Sequence, residues 1–328
     1  MVADASPWRV GKRCTVRVPA TSANLGPGFD ALGLALGLYD VVDAEVRPEG
    51  LEIAVDGEGA GHVPLDEHHL VVQALLAAAE SFGVAAPPGL LLSAHNAIPH
   101  GRGLGSSAAA VVAGVTLFDL LAPAQGAVRD LLPIAGRLEG HPDNVAAALL
   151  GGLTIAWCEE GAARAVRLQP HPSIEPVVLV PEHRLDTRHA RSVLPREVSH
   201  DDAARTAGRA ALLVHALTTD PGLLLPATED WLHQQPRSAA MPETLGLMTR
   251  LRADGQAAVV SGAGPSVLVL CVGDAEGGLG PAAEHLVAHP PAGWLALAPG
   301  VAFQGTRGGR RRTVREAAAG PDTGGLPG

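Results

Sequence analysis

Apolar and polar positions along the chain recur with two different periods, which predict strands and helices in mixed order. Strand-like segments occur at about residues 13–19, 38–47, 51–56, 90–94 and 153–157. A helical pattern begins after Asp66, which can cap the helix, and ends near Gly83. The inward face of this helix carries Val71, Val72, Leu75 and Leu76. Elements mixed in this way indicate an α+β first domain.

The rest of the chain shows the same mixture of strand-like and helical patterns, and the sequence contains no internal repeat. Further helices are expected at residues 106–121, 128–139, from 143 onward, 201–218 and 242–253. A strand at 177–180, a hairpin at 257–270 and the segment 282–288 complete a second α+β layer. Pro170, Pro172 and Pro176 mark the junction, so we predict one domain over residues 11–168 and another over 169–303. Residues 304–328, with their basic cluster at 307–312, are expected to form a solvated, disordered tail.

A glycine-rich segment precedes the predicted helix at 106–121 and reads PHGRGLGSSAA over residues 99–109. The start of a helix presents unpaired N–H groups and the positive end of its dipole, which together favour phosphate. The hydroxyls of Ser106 and Ser107 can cap the helix, bind phosphate oxygens or hold Mg²⁺. The Walker pattern is absent, because Lys12 is the only lysine, and the glycines run GxGxG rather than GxGxxG. A tightly packed helix start without a ligand would use the same small residues.

Two further segments accompany this loop. PATSANLGPGFDALGLAL occupies residues 19–36, where a strand runs into a polar loop, and SGAGPS at 261–266 joins two apolar strands. In order and spacing, the three segments resemble the signature motifs of the GHMP kinases. The segment EGHPDNVA at 139–146, followed by two glycines at 151–152, makes the homoserine kinases the most similar branch. The resemblance covers about residues 13–300.

The resemblance implies a two-domain fold, with a first domain like domain 2 of ribosomal protein S5 and a ferredoxin-like second domain. The implied activity is ATP-dependent phosphorylation of the side-chain hydroxyl of L-homoserine, a step toward threonine. By resemblance, Mg²⁺ is held by Ser107 and Glu139. The residues that would bind ATP are Pro99, Gly101, Gly103, Leu104, Gly105, Ser106, Ser107, Ala108 and Ala109.

Homoserine is a zwitterion, so its site needs a carboxylate for the ammonium, an arginine fork for the α-carboxylate and amides for the hydroxyl. By resemblance, Asp30 and Asp143 bind the ammonium, while Asn24 and Asn144 position the hydroxyl. The remaining substrate contacts implied are Thr187, Arg191, Arg237 and His141. The implied catalytic residues are Asn144, Asp143, Ser107 and Glu139.

The fate of the hydroxyl proton is open at this point. Asp143 is the only carboxylate beside the expected hydroxyl site and is a conceivable general base. The same carboxylate is wanted for the ammonium, however, and it cannot easily serve both ends of a short substrate. We therefore favour direct attack by the substrate hydroxyl, polarised by Asn144, with its proton lost to phosphate.

Two departures from the family pattern are visible. His68 and His69 stand where relatives often carry an asparagine that reaches adenine. The stretch Gln235-Pro236-Arg237 lacks the aromatic of the usual P-Y-R, which is expected to loosen that arm or widen the pocket. Two other functions stay open: a kinase of another small alcohol, mevalonate-like or sugar-like, and a non-catalytic ligand-binding relative. Thr187 with Arg191 argues against an uncharged substrate.

Composition narrows the functional classes further. The 328 residues are 47% hydrophobic but only 3% aromatic, so cores of Leu, Val and Ala are expected. A formal net charge of −10 argues against a nucleic-acid partner. Cys14, Cys158 and Cys271 show neither a disulfide framework nor zinc spacing. With no apolar run of signal-peptide or membrane-spanning length, we expect a cytoplasmic protein without a membrane partner, and the family suggests a homodimer.

Overall fold

The structure is a computed structural model that describes residues 8–123, 129–185, 187–274 and 278–311. Its larger sheet contains β1 (Arg13–Ala23), β2 (Leu32–Arg47), β3 (Gly50–Gly57), β4 (Gly89–Asn96), β5 (Leu153–Glu159), β6 (Ala162–Leu168) and β11 (Arg307–Arg311). The strand order is β11-β1-β2-β4-β3, and β5 attaches to β2 and carries β6. All pairs are antiparallel except β3 with β4.

The smaller sheet contains β7 (Ile174–Pro181), β8 (Ala258–Val260), β9 (Val267–Val272) and β10 (Trp294–Leu297). Its order is β10-β7-β9-β8, with every neighbouring pair antiparallel. The helices are α1 (Leu70–Ser81), α2 (Ser106–Leu121), α3 (Leu132–Glu139), α4 (Pro142–Leu150), α5 (Thr187–Ser192), α6 (His200–Thr218), α7 (Leu224–Ala227), α8 (Pro242–Ala253) and α9 (Pro281–Ala288). Gln235–Ala239 forms a 3₁₀ turn.

Helix α2 lies at the centre of the fold, and its small residues allow close packing on α1. A Cβ added at Gly114 would overlap the carbonyl oxygen of Val71. Aliphatic side chains dominate the core, as the scarcity of aromatic residues predicts. One continuous apolar cluster joins both sheets, with Leu92 from the larger sheet and Leu268 from the smaller. No helix in the described ranges is long and apolar enough to cross a bilayer.

The α+β class is confirmed, and most predicted elements are present with shifted ends. The helix predicted from residue 128 begins at Leu132, and the strand predicted from 38 begins at Leu32. The short elements β6, β10 and α5 were not predicted, because their sequences are too short or too polar for a periodic signal. The predicted domain boundary after residue 168 falls between β6 and β7, and it stays a prediction.

The prediction of a disordered tail over residues 304–328 is wrong for its first part. Residues 307–311 form β11, which pairs antiparallel with β1 from Arg17↔Arg307 to Arg13↔Arg311. Ladder hydrogen bonds come from the backbone, so a polar, glycine-rich strand can form where an edge is available. Gly308 suits this edge, because a Cβ there would overlap Leu120 Cδ1. Residues 312–328 lie outside the described part of the chain.

Candidate active site

The glycine loop lies between the end of β1 and the hairpin loop that joins β8 to β9. Gly101, Gly103 and Gly105 have φ of +65°, +71° and +70°, values that favour glycine over other residues. A Cβ at Gly105 would overlap Thr21 Oγ1, and one at Gly103 would overlap the carbonyl oxygen of Ser261. The absent side chains therefore let the loop pack closely while the start of α2 opens into a cleft. This is a backbone cradle suited to an anion.

The cleft has a volume of about 270 Å³ and gathers residues from six parts of the chain. Its lining consists of Asn24, Gly101, Gly103, Leu104, Gly105, Ser106, Ser107, Glu139, His141, Asp143, Asn144, Leu185, Arg191, Arg237, Gly262 and Ala263. Most of the predicted site residues thus meet in one place. Among the others, Asp30, Pro99 and Ala108 line neither this cleft nor the cavity beside it, although Asp30 contacts Arg191 of the cleft lining. Thr187 begins α5, but its side chain lies outside what the structure describes.

Ser107 and Glu139 place a hydroxyl and a carboxylate side by side in the cleft lining. Ser107 Oγ donates a hydrogen bond of 2.8 Å to Glu139 Oε2. Burial raises the pKa of Glu139, and the hydrogen bond from Ser107 opposes that rise. A partly buried carboxylate beside a hydroxyl is a hard-oxygen donor set, which suits Mg²⁺. A cation here would also offset the cost of burying the carboxylate.

Asp143 and Asn144 occupy the first turn of α4, next to that pair. Asp143 is only 3% exposed, and burial raises its pKa to about 6. The backbone N–H and side-chain amide of Asn144 donate to Asp143 Oδ1 at 2.7 and 3.2 Å. Thr21 Oγ1 donates to Asn144 Oδ1 at 2.7 Å, which orients the amide. Sequence reasoning missed Thr21, although it lies inside the 19–36 motif.

His141 precedes α4 and belongs to the lining of the cleft. Burial lowers the pKa of its imidazole, and the positive charge of Arg191 lowers it further, whereas Asp30 raises it. A neutral ring is therefore favoured near neutral pH.

The loop after β1 is held in an unusual conformation. Asn24, Leu25 and Asp30 have φ of +69°, +52° and +56°, a region that non-glycine residues seldom adopt. Asn24 Nδ2 donates to the carbonyl of Gly262 at 2.7 Å, and Asn24 Oδ1 accepts from the N–H of Asp30 at 3.0 Å. Asn24 thus joins its own loop to the β8–β9 hairpin as well as lining the cleft. Such strained loops are characteristic of functional sites.

Asp30 and Arg191, which are expected to bind the ammonium and the carboxylate of the substrate, form an ion pair with each other in this structure. The Arg191 guanidinium donates to both carboxylate oxygens of Asp30, with Nη1 3.2 Å from Oδ2. Both side chains are about one-third exposed, and α5 brings Arg191 into contact with the loop after β1. A cation and an anion in contact can each exchange the partner for the complementary group of a bound zwitterion.

Arg237 is 1% exposed, which speaks against a loosened arm, whereas the wider pocket expected as the alternative stays a prediction. Its Nε donates to the carbonyl of Ala190 at 3.1 Å, and its Nη1 donates to His233 Nδ1 at 2.8 Å. The ring of Phe29 lies 5.5 Å from the guanidinium carbon of Arg237 and 5.5 Å from that of Arg191. Burial lowers the pKa of Arg237 to about 10, which leaves it a cation at neutral pH. Sequence reasoning missed both His233 and Phe29.

A second cavity of about 260 Å³ adjoins the cleft and shares Ser106 and Ser107 with it. Its walls come mainly from the starts of α1 and α2 and include the predicted residue Ala109. His69 is buried there, and its Nδ1 has no hydrogen-bond partner among the residues that the structure describes. Asp40 is also buried, and it accepts hydrogen bonds from the backbone of residues 97 and 98 at 2.7 and 2.9 Å.

Comparison with known proteins gives a consistent result. A family model described as the GHMP kinases N terminal domain matches residues 69–152. A homoserine kinase of Streptomyces coelicolor is 57% identical over 262 residues, which cover 79% of this chain and 84% of that protein. A homoserine kinase of Leifsonia xyli subsp. xyli is 52% identical over 299 residues, covering 90% and 91%. The crystal structure of homoserine kinase from Cytophaga hutchinsonii matches with a TM-score of 0.77 at 28% identity, over 90% of this chain and 97% of that one.

Proposed function

The chain belongs to the homoserine kinases, a branch of the GHMP kinases, and we propose that its cleft transfers the γ-phosphoryl group of ATP to the side-chain hydroxyl of L-homoserine. It is thus a phosphotransferase acting on an alcohol. The product is O-phospho-L-homoserine, which lies on the route to threonine. In the reaction, the bond from the γ-phosphorus to the bridging oxygen breaks, a bond from the homoserine oxygen to phosphorus forms, and ADP leaves.

The donor side of the site is assigned to the glycine loop and the start of α2. Backbone N–H groups at residues 103–107 and the dipole of α2 would hold the phosphates. Ser107 and Glu139 would hold Mg²⁺, which, when bound, neutralises charge on the transferring phosphoryl group. The adjoining cavity beside α1 is of a size and apolar character that suit the adenine base. Its connection to the cleft at Ser106 and Ser107 supports this placement.

The acceptor side is assigned to the remaining charged residues of the cleft and to Asp30, which contacts Arg191. Arg237 and Arg191 would bind the α-carboxylate, because a guanidinium fork can engage both of its oxygens. Asp143 and Asp30 would bind the ammonium group. His141 would form part of the wall between them. This set of charges complements a zwitterion and would be poorly matched to an uncharged polyol.

The chemical step would depend mainly on orientation and electrostatics. The amide of Asn144, oriented by Thr21 and Asp143, would hold the homoserine hydroxyl toward the γ-phosphorus. The hydroxyl would attack directly and lose its proton to phosphate. Asp143 is better placed to bind the ammonium than to act as a general base, since its Oδ1 already accepts both hydrogen bonds of Asn144.

The observation that carries the proposal is the meeting, in one cleft of about 270 Å³, of the Ser107–Glu139 oxygen pair, Asp143 and two arginines. A coupled ADP-release assay with homoserine, mevalonate and galactose in parallel tests it, and ³¹P NMR identifies the product. We expect turnover with homoserine and its phosphomonoester as product. Preferred turnover of mevalonate or galactose would favour another alcohol kinase. ATP binding without transfer to any of the three would favour a non-catalytic relative. The homodimer and the cytoplasmic location stay predictions.

A further inference from the structure

A buried histidine that the proposed reaction does not use lies next to Arg237, outside the lining of the cleft. We propose that His233 is a positioning residue that aligns Arg237 with the substrate α-carboxylate and ties it to the loop at residues 24–30. The inference rests on the proposed function, because it concerns how that same site recognises homoserine. It assigns to His233 a role through hydrogen bonds, with no direct contact to the substrate.

The hydrogen bonds of His233 define its tautomer. A guanidinium has no acceptor, so in the 2.8 Å contact between Arg237 Nη1 and His233 Nδ1 the arginine must donate. His233 Nδ1 is therefore unprotonated, and the ring proton lies on Nε2. That nitrogen lies 2.7 Å from the carbonyl oxygen of Gly26, to which it donates. The result is one directed chain of hydrogen bonds from Arg237 through the imidazole to the backbone of the 24–30 loop.

Burial makes these contacts hard to replace. His233 is 0% exposed and Arg237 is 1% exposed, so water is excluded from the contact between them. Burial also lowers the pKa of His233, which favours the neutral ring that can accept from Arg237. Arg237 has one further hydrogen bond in this structure, from Nε to the carbonyl of Ala190 in α5. His233 and Ala190 together define the direction of the guanidinium.

The other side of the imidazole reaches the loop that carries the predicted substrate contacts. The rings of Phe29 and His233 stack with centroids 4.8 Å apart and planes inclined by 19°. Gly26 also packs closely against the backbone of Thr228, because a Cβ at Gly26 would lie 2.7 Å from the carbonyl oxygen of Thr228. A shift of His233 would therefore disturb both Arg237 and the loop between Asn24 and Asp30.

The backbone around His233 is itself well anchored. Asp230 Oδ2 accepts from the N–H groups of His233 and Gln234 at 3.0 and 2.8 Å. Gln234 Oε1 accepts from the N–H of Val260 at 2.8 Å, which joins this segment to β8. His233 thus stands on a rigid support, as a positioning residue requires.

The first test is the substitution His233→Phe, which keeps an aromatic ring against Phe29 but can neither accept nor donate. We expect the KM for homoserine to rise about 10- to 100-fold, the range for losing a hydrogen bond to a buried charge. The KM for ATP should stay within about twofold. His171→Phe is the matched control, because His171 is a partly buried histidine bonded to Ser173 and lines neither cavity. An unchanged KM for homoserine in His233→Phe would overturn the proposal.

Two further arms separate positioning from general damage. If His233 acts through Arg237, the double variant with Arg237→Met should resemble Arg237→Met alone, rather than multiplying the two effects. The wild type and His233→Phe should phosphorylate 3-aminopropan-1-ol, which lacks the carboxylate, at equally low rates. Multiplied effects, or an equal penalty on this carboxylate-free alcohol, would contradict the proposal. If wild type itself fails to phosphorylate homoserine, the proposed function fails instead.

A measurement on the wild-type protein keeps the inference testable if His233→Phe does not fold. ¹⁵N NMR of histidine-labelled protein distinguishes a ring protonated at Nε2 from one protonated at Nδ1. We expect His233 to be protonated at Nε2 only, with an accepting Nδ1, at pH 7. A ring protonated at Nδ1, or at both nitrogens at pH 7, would overturn it.

Discussion

Replacing Asp143 with asparagine should separate the stability of this protein from its activity. Asp143 is 3% exposed, and burial raises its pKa from 3.8 to about 6. Because a tenfold change in proton affinity corresponds to about 1.4 kcal/mol, this difference in pKa means that ionised Asp143 costs the fold about 3 kcal/mol at neutral pH. An asparagine removes that charge while its carbonyl oxygen can still accept the two hydrogen bonds from Asn144. We therefore expect Asp143→Asn to be the more stable protein.

The pH dependence follows from the direction of the shift. Because the folded pKa is the higher one, the folded state binds the proton more tightly than the unfolded state between pH 3.8 and about 6. Wild-type stability contributed by Asp143 therefore decreases as pH rises through this window and is lost above it. Urea unfolding of both proteins at pH 4, 5, 6 and 7.5 should give a difference near zero at pH 4 that grows to about 3 kcal/mol. Equal stability at every pH, or a less stable variant at pH 7.5, would refute the reasoning.

Activity should change in the opposite direction. If Asp143 binds the substrate ammonium, the variant loses a buried charge pair, and kcat/KM should fall by about 30- to 5,000-fold, chiefly through KM. Homoserine should also raise the Tm of wild type more than that of the variant. If Asp143→Asn binds homoserine normally and loses turnover alone, Asp143 is instead the general base, and direct attack by the hydroxyl is wrong.

Three further substitutions test other parts of the site. Glu139→Gln keeps a hydrogen-bond acceptor but removes the charge, so the Mg²⁺ concentration for half-maximal rate should rise about 10- to 100-fold; an unchanged Mg²⁺ titration would contradict its metal role. Gly105→Ala combines a φ of +70° with overlap on Thr21, whereas Gly83→Ala has a φ of +64° in open space. The left-handed backbone should cost each variant about 1–2 kcal/mol of unfolding free energy in urea, and the overlap should cost Gly105→Ala an additional amount. Equal losses would show that the overlap with Thr21 has no energetic effect. His69→Leu removes a ring whose Nδ1 has no hydrogen-bond partner in the described part of the chain, so the free energy of unfolding should not fall, whereas the KM for ATP should rise; an unchanged KM would show that His69 does not contact the nucleotide.

Local patterns in the sequence determined the parts of this protein that depend on neighbouring residues. The glycine loop and α2 were predictable, since alternating glycines, two serines and a run of small apolar residues specify a close-packed helix start. The family was recognisable because four such motifs occur in order along the chain. The general α+β class followed from apolar periodicity. The Ser107–Glu139 pair was implied by the resemblance alone, and in the structure its two side chains are hydrogen-bonded.

Only the tertiary structure decided the contacts between distant segments. Asp30 meets Arg191 across 161 positions and Thr21 meets Asn144 across 123, separations at which no local pattern specifies a partner. Strand β11 escaped prediction for a related reason: its pairing uses backbone groups, which every sequence carries, and an edge that exists only after β1 has folded. The residue types of each motif are encoded locally, but which side chains line the cleft, and which of them share a hydrogen bond, depends on how the sheets and helices pack.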